Sequence, residues 1–564
     1  MSKLDYCFSN DYMVLRPDRA SPVELLHLLL SPKVGRNRAV DCFASTDVRS
    51  FHRRLAIFLN LLLQILLLSL AAPLAALGAA VELLLNLVDN VLHGQCILFV
   101  WYDDSAKNTT PCLTACLSLC RGCMLCAGRM EYPDKSSPTY RSMTGLIDRR
   151  VDLDRSIKPT DSRFDAALCV MASKLAYENE PFIRNVVTRH WQNNSDFGGP
   201  QTAAMIWCRW SSCVSTTAGT FQNAYTAQAF VFCDKPVIDA EVIVVAFRGT
   251  RPLDAARWCA DVDPSWYKIP RLGCAHAAYT HALGAQRNIG WPKWVDHIKG
   301  KPQKVTTSLL LLLGINLGVS NDSHTDTTAS STDDRRNTPA PDDGAVTVSM
   351  CTARMQVYAY YTIRDALKEV LEANKKARLL VTGHGSGGAL AVLFPAILAY
   401  HKEKTVLDRL AGVYTFGQPR VGDAMLAMFV ERNLDRPKKR HFRITYGHDS
   451  LPRLPIERSA FHFLHFGLGL HFDKSYELKV RWEIPGEEET SSSLLVDLVA
   501  SRVNSAWELG RGVYLGYRRG GFFREGWLLL LLRAAAVALP GLPFHRVQDY
   551  VNAVVLGGHI PEDN

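Results

Sequence analysis

The 564-residue sequence has no charged side chain between positions 55 and 81. Residues 1–50 are polar and mixed in charge, and they lack the short apolar core of a cleavable secretory signal. The 15 cysteines form no compact disulfide framework. Most are therefore expected to be reduced thiols in a cytosol-facing protein. No zinc-finger spacing, RNA-binding signature or basic helix accompanies the net charge of +9. The basic excess thus suits an anionic lipid surface, and nucleic acid is not expected as a partner. Triplets at Asn108, Asn193 and Asn321 match the glycosylation pattern, which in such a compartment is read as chance.

The uncharged run is rich in Leu and Ala. As a helix it would reach roughly 40 Å, more than a bilayer core requires. Arg53 and Arg54 precede it, which favours a cytosolic N-terminus. Pro73 either kinks one spanning helix or forms the bend of a hairpin in one leaflet. Residues 82–93 continue as an amphipathic stretch. The expected organisation is a soluble lead over 1–54, a hydrophobic anchor or hairpin over 55–94, a Cys-rich connector over 95–139, and a globular domain over 140–564. In the connector, Cys112, Cys116, Cys120, Cys123 and Cys126 are open to three readings: no special role, acylation or metal binding. Residues 315–346 are too poor in large apolar residues to order themselves, and are expected as a disordered insertion.

Within the globular part, Val242-Ile243-Val244-Val245-Ala246-Phe247 reads as a strand buried on both faces. Residues 379–382, 411–416 and 443–446 read the same way, and a helical pattern fills 387–400. Strands alternating with helices imply an α/β fold with a mostly parallel sheet. Between strand and helix stands Gly383-His384-Gly385-Ser386-Gly387-Gly388. Small residues let such a turn close sharply, and the helix N-terminus then aims backbone N–H groups at a developing oxyanion.

The stretch Val381-Thr382-Gly383-His384 with Gly387-Gly388-Ala389-Leu390-Ala391 resembles the class 3 lipases of plants and fungi, and more closely the plant oil-body triacylglycerol lipases. Further matching segments are Ala246-Phe247-Arg248-Gly249-Thr250, Phe416-Gly417-Gln418-Pro419-Arg420-Val421-Gly422-Asp423, Asp449 with Pro452-Arg453-Leu454-Pro455, Arg524-Glu525-Gly526-Trp527, and His545 with Gln548-Asp549-Tyr550. The resemblance implies an α/β-hydrolase fold and hydrolysis of triacylglycerols or related acylglycerols at a lipid-droplet or membrane surface. It implies no metal or organic cofactor.

At the centre the chain departs from that family. The family reads G-H-S-L-G-G, whereas this sequence reads G-H-G-S-G-G. In register, Gly385 takes the nucleophile position and Ser386 follows it. Either Ser386 attacks from a turn shifted by one residue, or the protein is a catalytically impaired relative that still binds lipid. On the first reading the catalytic residues are Ser386, Asp449 and His545, in the hydrolase chain order. Asp449 would orient His545, the general base. Thr250 and the N–H of Gly387 would then form the oxyanion hole, or that of Ser386 if the turn is unshifted. Trp258, Val262 and Trp266 recur every four residues and are expected to form the apolar face of a lid helix. His462, His465 and His471 interleave with phenylalanines and read as packing residues.

Overall fold

The computed structural model describes residues 11–42, 46, 48–93, 134–191, 205–211, 226–284, 359–447, 449–455, 463–481, 494–519, 521–538 and 545–558. The cysteine run, the polar insertion, the three glycosylation-like triplets and His462 lie outside the described residues.

The N-terminal part is woven into the domain that follows it. Strand β1 (Asp11–Leu15) precedes helix α1 (Pro22–Leu30), whose first turn is closed by Ser21 accepting from Glu24 N. Strand β2 (Val40–Cys42) comes next, and then helix α2 (Phe51–His93). Helix α2 is continuous through Pro73, so the structure has one long helix where a hairpin was an alternative. Further along the chain lie helix α3 (Phe164–Leu175) and strands β3 (Met205–Ser211), β4 (Thr226–Cys233) and β5 (Val242–Phe247). Helix α4 (Ala255–Val262) follows, with strands β6 (Trp266–Ile269) and β7 (Gly273–His276). Strand β1 pairs antiparallel with β6, completing a four-stranded sheet of order β2-β1-β6-β7. Residues 11–42, expected as a separate lead, thus share a sheet with a segment 250 positions later, and Leu15 N donates to Ser265 Oγ. Hydrogen bonding of an otherwise open strand edge accounts for this.

Among the remaining elements are helix α5 (Ala359–Ala373), β8 (Arg378–His384), helix α6 (Ser386–Tyr400), β9 (Leu410–Phe416), β10 (His441–Tyr446), β11 (Leu468–Phe472) and β12 (Leu478–Arg481), then helices α7 (Leu494–Arg519), α8 (Trp527–Ala538) and α9 (Val547–Leu556). The main sheet has eight strands in the order β12-β11-β10-β9-β8-β5-β4-β3. The inner pairs β5–β8, β8–β9, β9–β10 and β10–β11 are parallel. The outer pairs are antiparallel. This is the α/β-hydrolase architecture, and the expected strands and the helix after the glycine-rich turn all form.

Alternation along β5 explains its uninterrupted apolar sequence. Ile243, Val245 and Phe247 pack with α5 and α6 on one face, while Val242, Val244 and Ala246 pack with α3 and α9 on the other. The C-terminal helices are held by charge. Arg533 on α8 donates to both Glu525 oxygens at 2.8 Å, lies 2.9 Å from Asp549 Oδ1 on α9, and 3.4 Å from Glu508 Oε2 on α7. All four side chains are buried.

Removing one member of such a buried set leaves its partners charged and desolvated. Arg533→Met should therefore destabilise the fold by about 3–5 kcal/mol. Denaturant unfolding would measure this, and a loss below about 1 kcal/mol would show the cluster to be solvated.

Candidate active site

Strand β8 ends at His384 and helix α6 begins at Ser386, leaving a single residue, Gly385, to reverse the chain. Gly385 adopts φ +59° and ψ −128°, a conformation open to glycine and strained for any other residue. Its N–H donates to Phe416 O at 2.8 Å, and its carbonyl accepts from Gly388 N. Gly387 packs against the end of β5, so closely that a Cβ there would stand 2.4 Å from Phe247 O. The turn is therefore unshifted, with Gly385 at its apex.

Asp449 lies just beyond β10, and His545 precedes α9. His545 Nδ1 and Asp449 Oδ2 are 2.6 Å apart. Tyr550 OH donates to the same oxygen at 2.5 Å, and Leu451 N donates to Oδ1 at 3.0 Å. A carboxylate so placed takes the Nδ1 proton and leaves the Nε2 lone pair facing the site. Nε2 is buried and meets no hydrogen-bond partner among the described residues. It points at the apex, since a Cβ built on Gly385 would stand 2.7 Å from it. His384 stacks on the His545 ring at a centroid distance of 4.1 Å. Burial, and then the neighbouring His545, hold His384 well below the usual histidine pKa, and its Nδ1 pairs with Tyr177 OH at 2.8 Å. His384 thus braces the base as a neutral ring.

Ser386 sits on the other side of the apex. Its Oγ is 2.8 Å from Thr250 Oγ1, which in turn donates to Asp261 Oδ2 at 2.9 Å. Thr250 has one hydroxyl proton, so Ser386 is the donor of the pair. Tyr279 OH donates to the other Asp261 oxygen at 3.1 Å. The structure thus brings Asp449 to His545 and Thr250 to Ser386, and the Ser386 hydroxyl goes to Thr250 and not to the imidazole. The N–H directly after the apex belongs to Ser386. Gly387, expected to supply it in a shifted turn, lies one residue deeper, against β5.

The expected lid stripe divides. Trp258 and Val262 lie on α4, but Trp266 lies on β6, because Asp263 turns to extended backbone and Pro264 follows, ending the helix. His471 bonds Thr445 Oγ1 at 3.0 Å within the sheet. Nothing in the sequence marks Tyr177 or Tyr279, and Asp261 is legible only as a polar position beside the expected lid stripe. Tyr550 stands in a matching segment that by itself implies no partner for its hydroxyl.

A strand–glycine–helix turn facing a carboxylate-held imidazole defines an α/β-hydrolase site. The family model "Lipase (class 3)" matches residues 319–459. A triacylglycerol lipase of Nicotiana tabacum is 35% identical over 449 residues, covering 76% of this chain and 75% of that one. The Arabidopsis thaliana counterpart is 34% identical, covering 77% and 76%. The solved Rhizomucor miehei triacylglyceride lipase aligns over 59% of this chain and 91% of its own, at 18% identity and a TM-score of 0.32. The chain belongs to the class 3 lipases, a family of carboxylic ester hydrolases.

Burial raises the Asp261 carboxyl to about 6, and hydrogen bonds from Thr250 and Tyr279 offset part of the rise. A charged Asp261 therefore opposes folding. That penalty is absent below the ordinary carboxyl pKa and complete above about 6. Asp261→Asn should accordingly gain stability relative to the parent between pH 4 and pH 7, by about 2 kcal/mol. Equilibrium unfolding at both pH values tests this, and a difference constant with pH would contradict it.

Proposed function

We propose that this protein hydrolyses acylglycerol esters at a lipid-droplet or membrane surface, with its catalytic domain facing the cytosol. His545 acts as base, Asp449 orients it, and the backbone N–H groups of Thr250 and Ser386 receive the oxyanion, since the Thr250 hydroxyl proton is already given to Asp261. The observation that carries this reading is the aim of a carboxylate-held His545 Nε2 at the apex of the turn. The relatives' names supply the substrate class, and the apolar helix α2 supports the surface.

Gly385 brings no side-chain hydroxyl to the apex, and the Ser386 hydroxyl is engaged with Thr250. Water is then the attacking group. His545 Nε2 takes a proton from water as its oxygen bonds to the acyl carbon. The carbonyl oxygen becomes an oxyanion between the backbone N–H groups of Thr250 and Ser386. On collapse the C–O bond to glycerol breaks, and His545 returns the proton to the departing alkoxide. Fatty acid leaves in one displacement without a covalent intermediate. Such machinery lacking its nucleophile retains about 10³–10⁴-fold catalysis over water.

One observation favours a second route, in which Ser386 Oγ forms an acyl-enzyme. Its proton has a path through Thr250 to the Asp261 carboxylate. The ester C–O bond then breaks, the departing glycerol alkoxide takes up that proton, and water activated by His545 releases the fatty acid from Ser386.

Full-length protein on a triacylglycerol emulsion separates these routes. His545→Ala should lower fatty-acid release by about 10²-fold or more, and Ser386→Ala by about tenfold or less. A serine-directed phosphonate should leave Ser386 unlabelled. Labelling of Ser386, with Ser386→Ala as inactive as His545→Ala, would establish the acyl-enzyme route. Release no greater than that of His545→Ala would leave a lipid-binding protein.

Gly385→Ser should raise turnover by about 10²-fold or more, because it places a hydroxyl before the base. The same change should cost about 1–3 kcal/mol of stability, because the backbone there is left-handed. A variant with unchanged rate would show that the apex is not the point of attack.

A further inference from the structure

Helix α2 has its polarity reversed relative to a helix on a water-facing domain, which buries apolar residues and shows polar ones. Asn60 Nδ2 donates to Val262 O at 2.7 Å, and Gln64 Nε2 to Asp263 Oδ1 at 3.3 Å. Glu82 accepts from Tyr140 OH at 2.8 Å and Met143 N at 3.1 Å. Asn86 bonds both the carbonyl and the N–H of Arg141. All four polar side chains therefore turn toward the catalytic domain, beside Ile57 and Leu61, which are fully buried there. The opposite face carries Leu59, Leu62, Leu63, Leu66, Leu70 and Leu77, each 39–55% exposed. Ser69 is the one polar residue among the exposed positions from 55 to 88, and its hydroxyl closes back on Leu66 O. Such an arrangement is stable when the medium beyond the leucines is less polar than the domain itself.

The length of the contact decides how that medium is met. The helix touches the domain from Ile57 to Asn86. That is about 45 Å of helix axis at 1.5 Å per residue, longer than the roughly 30 Å hydrocarbon core. A crossing helix would carry the polar domain into hydrocarbon along its whole length. We infer that α2 lies flat in one leaflet of a lipid surface, its leucine face in the acyl region and the catalytic domain on its inner side. This inference rests on the lipid-surface reading above. Trp527 and Leu531 on α8 are 58% and 57% exposed, and Trp527 stands beside Leu85 and Val88, extending the apolar face with an interfacial aromatic.

The inner face of the same helix holds the oxyanion side of the site. Val262 and Asp263, which bond Asn60 and Gln64, close the helix that carries Asp261, and Asp261 fixes Thr250. Gly78 packs on Leu253, just before α4, where an added Cβ would come within 3.3 Å of Leu253 Cβ. Seating α2 in lipid therefore places the oxyanion donors at the edge of the substrate phase.

Flotation of the full-length protein tests this with two surfaces. One is triolein droplets coated with a phosphatidylcholine monolayer, the other phosphatidylcholine bilayer vesicles. A flat helix needs a single leaflet, so the protein should float with both. Leu62→Glu/Leu66→Glu should lower the bound fraction at least tenfold on both surfaces, with unchanged far-UV circular dichroism. Leu70→Glu/Leu77→Glu provides a second pair should the first fail to fold. Binding to vesicles but not to droplets would overturn the inference in favour of a spanning helix. Undiminished flotation of a folded double variant would overturn it as well. Flotation is read without any ester cleavage, so a failure of the hydrolytic reading is separately visible.

Discussion

The carboxylate of Asp449 is the point on which the site depends. One oxygen accepts from His545 and Tyr550, and the other from Leu451 N. These bonds connect the loop after β10 to the start of α9, and so fix which nitrogen of His545 faces the apex. The same stretch of α9 carries Asp549, one of the carboxylates on Arg533. The orientation of the imidazole is therefore inherited from a buried charge cluster that binds three C-terminal helices together. A base held this way needs no reorganisation when a proton arrives, because its acceptor is already in place.

Across the apex a second chain of polar groups runs from Ser386 through Thr250 to Asp261 and Tyr279. The two chains end on either side of Gly385 without joining. In an enzyme with a seryl apex, the hydroxyl there links base and oxyanion hole. Here the donor side carries a hydroxyl next to the turn instead. Class 3 lipase architecture is thus complete around a position that contributes backbone alone.

Much of this was legible in the sequence. Buried parallel strands write continuous apolar runs, so β5, β8 and β9 were plain from Val242, Leu379 and Ala411 onward. Asp449 and His545 followed from chain order and their neighbours. Other features were not legible, for physical reasons. Tyr177 reaches His384 from a distant segment, and Asp261 joins Thr250 and Tyr279 across separate elements, contacts that leave no local pattern. The four-residue spacing of Trp258, Val262 and Trp266 imitates a helix face, and the stop at Asp263-Pro264 outweighs it. The short strand Asp11–Leu15 has no periodic signature, and its partner lies some 250 residues away. Average hydropathy merges the two faces of α2, so a helix that is polar inward and leucine-rich outward looks like an ordinary span.

The pairing of β1 with β6 bears on how the protein can be handled. An apolar segment near an N-terminus invites removal to obtain a soluble catalytic fragment. Here such trimming would take away β1 and β2, half of the four-stranded sheet, and the bond from Leu15 N to Ser265. It would leave the edge of β6 bare and the segment bearing Asp261 without its support. Detergent or lipid, rather than truncation, is the route this architecture allows to a tractable enzyme.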